Sequence, residues 1–373
     1  MIVQIRQAIL ALAVVACASV PASVPYPGDA IVQRTDGYLY EPVGVAPRVT
    51  ALMSPEPFQV QPLGNVTLIE QSDGVVLVDA GGSPAAAERI AAFVREIAPG
   101  KRVKAIVITH WHGDHVLGLR TLLAHWPEAR TISTVETRAS LTSAATARFM
   151  PTEDAANNAV LQRNLAEGVA FLRGRSTQAE LTEERQGYAQ AARVVAQHAH
   201  DLEGAARIAP NETFTDRLVI ADRDAPVEIL FLGRANTDGD AVVWLPRQRV
   251  LVTGDVVVSP IPFGFGSYPA EWIGVLERLK AYDFATLVPG HGGPMRDRVY
   301  LDRLIALLRE VRAQARPDET LEEARARVTL GAQADAFTGG SAWRRRWFNA
   351  YWTQAIVVSA RKEARGEAIV QGE

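Results

Sequence analysis

Within six consecutive residues the chain carries His110, Trp111, His112, Gly113, Asp114 and His115. Three of its seven histidines fall there, which argues against a chance polar loop. The apolar run 105–108 just before them reads as a buried strand. A loop past a strand end can aim alternate side chains at one point, so His110 and His112 can share a metal ion. Asp114 and His115 then face a second position nearby. Imidazole and carboxylate are the ligands that zinc takes at catalytic sites.

Composition sets few other bounds. The 373 residues are 48% hydrophobic and 22% charged with a formal charge of -3, ordinary for a soluble globular protein of one large or two small domains. No basic stripe accompanies the histidine motif, so no nucleic-acid partner is expected, and the expected ligand is a small molecule. Residues 1–22 read as an export signal. Arg6 supplies a positive start, residues 8–16 are apolar but too short to span a bilayer, and small residues flank Cys17. Residues 14–17 also have the form of a lipoprotein box, with Cys17 as the lipid anchor. The expected location is therefore periplasmic, or lipid-anchored to a bacterial membrane. Cys17 is the only cysteine, so no disulfide forms within one chain and thiolate catalysis is excluded.

Residues 23–48, rich in Pro, Gly and Ala, read as a linker. Strands are predicted over 66–70 and 74–79, the second ending on Asp79 before two glycines. A helix is predicted over 84–97, the strand that feeds the motif over 104–108, and a helix over 116–125. His125, at the end of that helix, reads as surface or core and not as a ligand. From about 137 to 209 the composition shifts to Ala, Glu, Arg and Gln. Leu161, Leu165, Val169 and Leu172 recur at helical spacing, so a helical insertion of two to four helices is expected, lying over the site or against a second subunit. His198 and His200 belong to this insertion. Helical residues two apart face different ways, so both are read as solvated surface.

Strands return over 218–220, 227–232, 241–245 and 249–253, the last leading to Asp255. A further strand over 285–288 leads to His291. In the intervening loop Phe263, Phe265 and Tyr268 are candidates to wall a substrate pocket, the alternative being a Pro/Gly loop over the core. Helices are predicted over 297–313, 321–330 and 343–365. The expected division is a body over 49–314 and C-terminal helices over 315–373, packed on the body or on a partner subunit in a homodimer.

His110, His112, Asp114, His115, Asp255 and His291 all fall at predicted strand ends. This H-x-H-x-D-H motif with its later strand-end ligands resembles the metallo-β-lactamase superfamily of hydrolases, over about 66–291. The resemblance implies an α/β fold, an αββα sandwich of two mixed β-sheets flanked by helices, with one or two zinc ions per chain. It implies one ion on His110, His112 and a third histidine, and another on Asp114, His115 and His291, with Asp255 bridging. Asp79 matches an aspartate that supports the metal loop by hydrogen bonding, although a turn-capping Asp would look the same. The chain departs from the pattern at Asn236, which stands in the third histidine's place. An amide oxygen is a weak zinc ligand, so the first ion is expected to be held loosely, with Asn236 ligating through its oxygen or not at all.

The resemblance implies a zinc-dependent hydrolase that uses metal-activated water to cleave a small amide or ester of β-lactam or lactone type. Asp114 would be the catalytic residue, at once ligand and orienter of the nucleophile. Asp255 points away from lactamase subgroups with cysteine at that position and towards the glyoxalase II and lactonase branches. Asn236 keeps open a degenerate member that binds metal or ligand with little or no turnover. A di-iron redox protein is disfavoured because no flavin-binding domain follows.

Overall fold

A computed structural model describes residues 40–54 and 63–372. The export signal, Cys17 and most of the expected linker lie outside the described residues. The end of that linker is a correction. Residues Glu41–Ala46 form β1, which pairs antiparallel with β2 (Val49–Met53). Proline and glycine hid this strand, yet Pro42 sits on an edge strand, where a missing N–H is tolerated.

Among the described residues, twelve strands make two mixed sheets. The first runs in spatial order through β1, β2, β3 (Val66–Glu70), β4 (Val75–Val78), β5 (Val103–Val107), β6 (Arg130–Thr134) and β7 (Glu212–Phe214). Its first three pairings are antiparallel and its last three parallel. The second sheet contains β8 (Arg217–Ile220), β9 (Val227–Phe231), β10 (Ala241–Leu245), β11 (Val250–Val252) and β12 (Thr286–Val288). Only β11 and β12 pair in parallel there.

The alternation of side chains along each strand sorts the core into layers. Ile69, Val76, Val78, Ala105 and Val107 meet Val243, Leu245, Val250 and Val252 between the sheets. Leu68, Leu77, Ile106 and Leu251 point outward under the helices. Strands covered on both faces read as unbroken apolar runs, which is why β4 and β5 were evident in the sequence. Each such buried Val or Leu contributes roughly 1.5–3 kcal/mol.

Helix α1 (Pro84–Ile97) starts where Ser83 accepts from the Ala86 N–H, with Pro84 in its first turn. The expected helix after the motif is broken into α2 (Gly113–Val116) and α3 (Leu119–His125). Gly118 separates them, and a Cβ there would lie 2.1 Å from the Ala80 carbonyl oxygen. In the insertion, α4 (Val135–Thr142) and α5 (Ala144–Ala147) precede a long hairpin of α6 (Ala155–Gln178) and α7 (Thr182–Asp201). The buried stripe of α6 is Leu161, Leu165, Val169 and Leu172.

His198 corrects another expectation. It is buried, on the stripe of α7 that includes Tyr188, Ala191 and Val195, whereas His200 is exposed. Two-residue spacing does put the two histidines on different faces, but the reading of both as solvated surface holds only for His200. His125 is half-buried and bonded to Glu88 and Arg95.

Beyond the sheets lie α8 (Pro269–Ala281), α9 (Val299–Gln314), α10 (Leu321–Arg327), α11 (Gly331–Thr338) and α12 (Ala342–Trp347). The chain then passes through a π-helical turn (Phe348–Thr353) into α13 (Gln354–Ala364). Helices α12 and α13 pack on the same chain, burying Trp347, Trp352 and Ile356 in its core. Among the described residues no helix is long and apolar enough to cross a membrane.

Candidate metal centre

The motif loop leaves β5 at Val107 and is held by Asp79, the residue after β4. Asp79 adopts the left-handed conformation, with φ of 68°. Its carboxylate accepts from the Thr109 N–H at 2.8 Å and from the Thr109 hydroxyl at 2.9 Å. It also lies 2.8 Å from His115 Nδ1. Because the Thr109 hydroxyl donates to Asp79, it is left to accept from His110 Nδ1, 2.9 Å away. These bonds assign both imidazoles the tautomer with an unprotonated Nε2 directed inward. Two glycines make room for them. A Cβ on Gly64 would lie 2.2 Å from the His115 ring, and one on Gly290 would lie 2.1 Å from Asp255 Oδ1.

The two groups of inward atoms have the dimensions of ligand shells. Zinc ligands at about 2.0–2.2 Å in a tetrahedron stand about 3.3–3.6 Å from one another. His291 Nε2 lies 3.0 Å from Asp114 Oδ2 and 3.5 Å from Asp255 Oδ1. His115 Nε2 lies 3.3 Å from His291 Nε2, 3.5 Å from Asp114 Oδ2 and 3.2 Å from Asp255 Oδ1. The second group has three members. His110 Nε2 lies 2.9 Å from His112 Nδ1 and 3.5 Å from Asp255 Oδ2, and His112 Nδ1 lies 3.9 Å from the same oxygen. All six side chains are buried, and Asp255 belongs to both groups through different oxygens.

Electrostatics agree with a site for cations. Burial alone would raise Asp114, but the neighbouring His115 and His291 hold it below the usual carboxylate range. Asp255 is likewise held low against burial, by His291, His115 and His110. Burial would lower His115, yet Asp255, Asp79 and Asp114 raise it well above the ordinary imidazole value. His112 is pushed down to about 4 by burial and by His110. Buried ionised carboxylates require a compensating positive charge: protonated His115 supplies part of it without metal, and a divalent cation would supply it when bound. The residues present therefore fit a divalent metal ion.

Asn236 is fully buried. Its Nδ2 donates to the Phe263 carbonyl at 2.7 Å, and its Oδ1 has no partner among the described residues. The loop around it is shaped by Asp240, whose Oδ2 accepts from Thr237 N at 2.7 Å and Ala235 N at 3.2 Å.

Of the three pocket candidates, Phe263 faces the centre, its ring 5.4 Å from that of His112. Phe265 packs on Phe263 at 4.8 Å. Tyr268 is not brought to the cluster. Its hydroxyl donates to the Ile369 carbonyl and its ring lies under the Arg234 guanidinium. It lines a separate cleft of about 460 Å³, with Glu271, Arg312 and Glu363. Two further contacts had no signal in the sequence. Trp111 in the motif donates to Gln371 near the C-terminus, and Tyr351 packs on Phe263.

A mixed-sheet sandwich with buried histidines and aspartates gathered at its strand ends defines a class of metal-binding α/β proteins. Residues 61–291 match the family profile of the metallo-β-lactamase superfamily, and the chain belongs to that superfamily. It is 27% identical over 252 residues to a linear primary-alkylsulfatase of Pseudomonas sp. (strain ATCC 19151), covering 65% of this chain and 44% of that protein. It is 36% identical over 90 residues to an atrochrysone carboxyl ACP thioesterase of Aspergillus chevalieri, covering 23% of this chain and 28% of that one. Among solved structures, the stereoselective inverting sec-alkylsulfatase Pisa1 of Pseudomonas sp. superposes with a TM-score of 0.58 at 16% identity, a likeness of fold. That superposition covers 89% of this chain and 51% of the other. The chain spans less than half the length of these two curated relatives.

Proposed function

We propose that the protein is a zinc-dependent hydrolase of small esters or amides, with one or two zinc ions per chain. The observation that carries this reading is the set of ligand-to-ligand distances of 3.0–3.5 Å around His115, His291, Asp114 and Asp255. His115, His291, Asp114 and Asp255 would hold one ion. His110, His112 and Asp255 would hold the other, with Asn236 Oδ1 as a weak fourth ligand. Zinc bound there supplies a Lewis acid and lowers the pKa of water towards neutrality. Asp114, kept ionised, orients the attacking water by accepting its hydrogen bond. Phe263 and Phe265 give the substrate an apolar wall beside His112 and keep bulk water from it. Asp79 and Thr109 fix the imidazoles without touching substrate.

Alkyl sulfates belong beside β-lactams and lactones as substrates, because the alkylsulfatase resemblance extends over 65% of the chain. An aromatic wall suits an alkyl tail, and export, proposed from residues 1–22, would place the enzyme where such small molecules arrive. A screen of alkyl sulfates, chromogenic lactams, lactones and thioesters tests this. Turnover is expected with at least one class, lost in Asp114→Ala and after chelation. A zinc-loaded protein that cleaves none of them would favour the non-catalytic reading, which Asn236 supports because an amide oxygen is a weaker zinc ligand than imidazole.

A further inference from the structure

The π-helical turn between α12 and α13 widens the helix where it passes the pocket loop. Such turns recur at functional sites because they displace a side chain from its regular position. Here the displaced region carries Tyr351. Its carbonyl accepts from the Gly264 N–H at 2.9 Å, fastening the turn to the loop that bears Phe263 and Phe265. A Cβ on Gly264 would lie 3.1 Å from Ile356, so the two segments are in close contact. The Tyr351 ring lies 5.9 Å from Phe263 and 6.3 Å from Phe265, and Phe263 in turn reaches His112.

Tyr351 is 8% exposed, and no described residue hydrogen-bonds its hydroxyl. The hydroxyl is not among the fully buried atoms left without a partner, so it keeps solvent access and is open to a bound substrate. Burial raises its pKa, and the negative charge of Asp114 raises it further, so the phenol stays a neutral donor. We propose that Tyr351 is a substrate-contacting residue whose hydroxyl donates a hydrogen bond to an oxygen of the ester or amide held beside His112 and Asp114. The bond positions the substrate and polarises it, and no proton is transferred. The assignment rests on the hydrolase reading above and adds to it a determinant from the C-terminal helices.

The test is Tyr351→Phe in the zinc-loaded full chain, which keeps the ring and removes only the donor. With whichever of decyl sulfate, p-nitrophenyl butyrate or nitrocefin the parent protein cleaves, kcat is expected to fall roughly 10- to 100-fold while KM changes little. Zinc content and Tm should be unchanged. Unaltered kcat and KM would overturn the assignment. Should the parent protein cleave none of these, the hydrolase reading fails, and calorimetric titration with octanoate decides the tyrosine alone. Several-fold weaker octanoate binding in Tyr351→Phe supports the contact. Equal binding, or no binding to either protein, overturns it.

Discussion

Asp79 is the residue on which the geometry of the centre depends without touching the ions. Its left-handed backbone costs some stability, and its three acceptor contacts hold Thr109, and with it the tautomers of His110 and His115. Asparagine tolerates the same backbone but cannot accept from both the threonine hydroxyl and the imidazole. Asp79→Asn is therefore expected to weaken zinc binding about 10- to 100-fold with the fold retained, measured by competition against a chromophoric chelator. Asp240 makes a second prediction. Burial raises its pKa to about 7, so the folded protein prefers the protonated carboxyl. The sign follows from linkage: this preference is fully present below the unfolded value near 4 and is lost as pH rises through about 7. In chelator-treated protein, Asp240→Asn should flatten part of the fall in Tm between pH 5 and pH 8, an effect of a few kcal/mol at most. An identical pH profile in the two proteins would count against it. At this scale the sequence exposes ligands better than their supports. His110 to His115 stand together after an apolar strand, whereas Tyr351 and Gln371 reach the site from over 200 positions away. No local pattern marks such contacts.

The α6–α7 hairpin shows what spacing reveals about an element and what it leaves out. The stripe Leu161, Leu165, Val169 and Leu172 announces a helix with one apolar face, but not the surface it meets. That surface is α7, which in turn docks on the C-terminal helical region. Tyr188 packs edge-on against Trp343 with centroids 4.7 Å apart, Glu184 pairs with Arg346, and Glu183 accepts from Ser341. The close approach depends on Gly187, where a Cβ would lie 2.4 Å from the Trp343 ring. Gly187→Ala is expected to cost about 1–3 kcal/mol and to expose the hairpin to limited proteolysis before the rest of the chain. Cleavage at the parental rate, with unchanged Tm, would show that the hairpin docks some other way. β1 was missed for the opposite reason: its composition is that of a loop, and only the edge of a sheet makes a strand of it.

Across the whole molecule, the ligands divide between the two sheets. His110, His112, Asp114 and His115 follow β5 in the first sheet, while Asp255 and His291 follow β11 and β12 in the second. An ion bound between them cross-links the sandwich at its rim, so binding energy becomes folding energy. The four-ligand group is complete and the other offers three donors, with Asn236 proposed as a weak fourth, so the two ions should bind unequally. Titrating zinc into chelator-treated protein is expected to raise Tm in two stages, the first near stoichiometric and the second only at higher free zinc. At 100 times its Kd, each ion adds about 2.7 kcal/mol. Asn236→His supplies the missing imidazole, provided the Phe263 carbonyl finds another donor, and should move the second stage to lower zinc. A single stage in the parental protein, unchanged in Asn236→His, would mean that His110 and His112 hold no separate ion. The centre would then work with one zinc on His115, His291, Asp114 and Asp255.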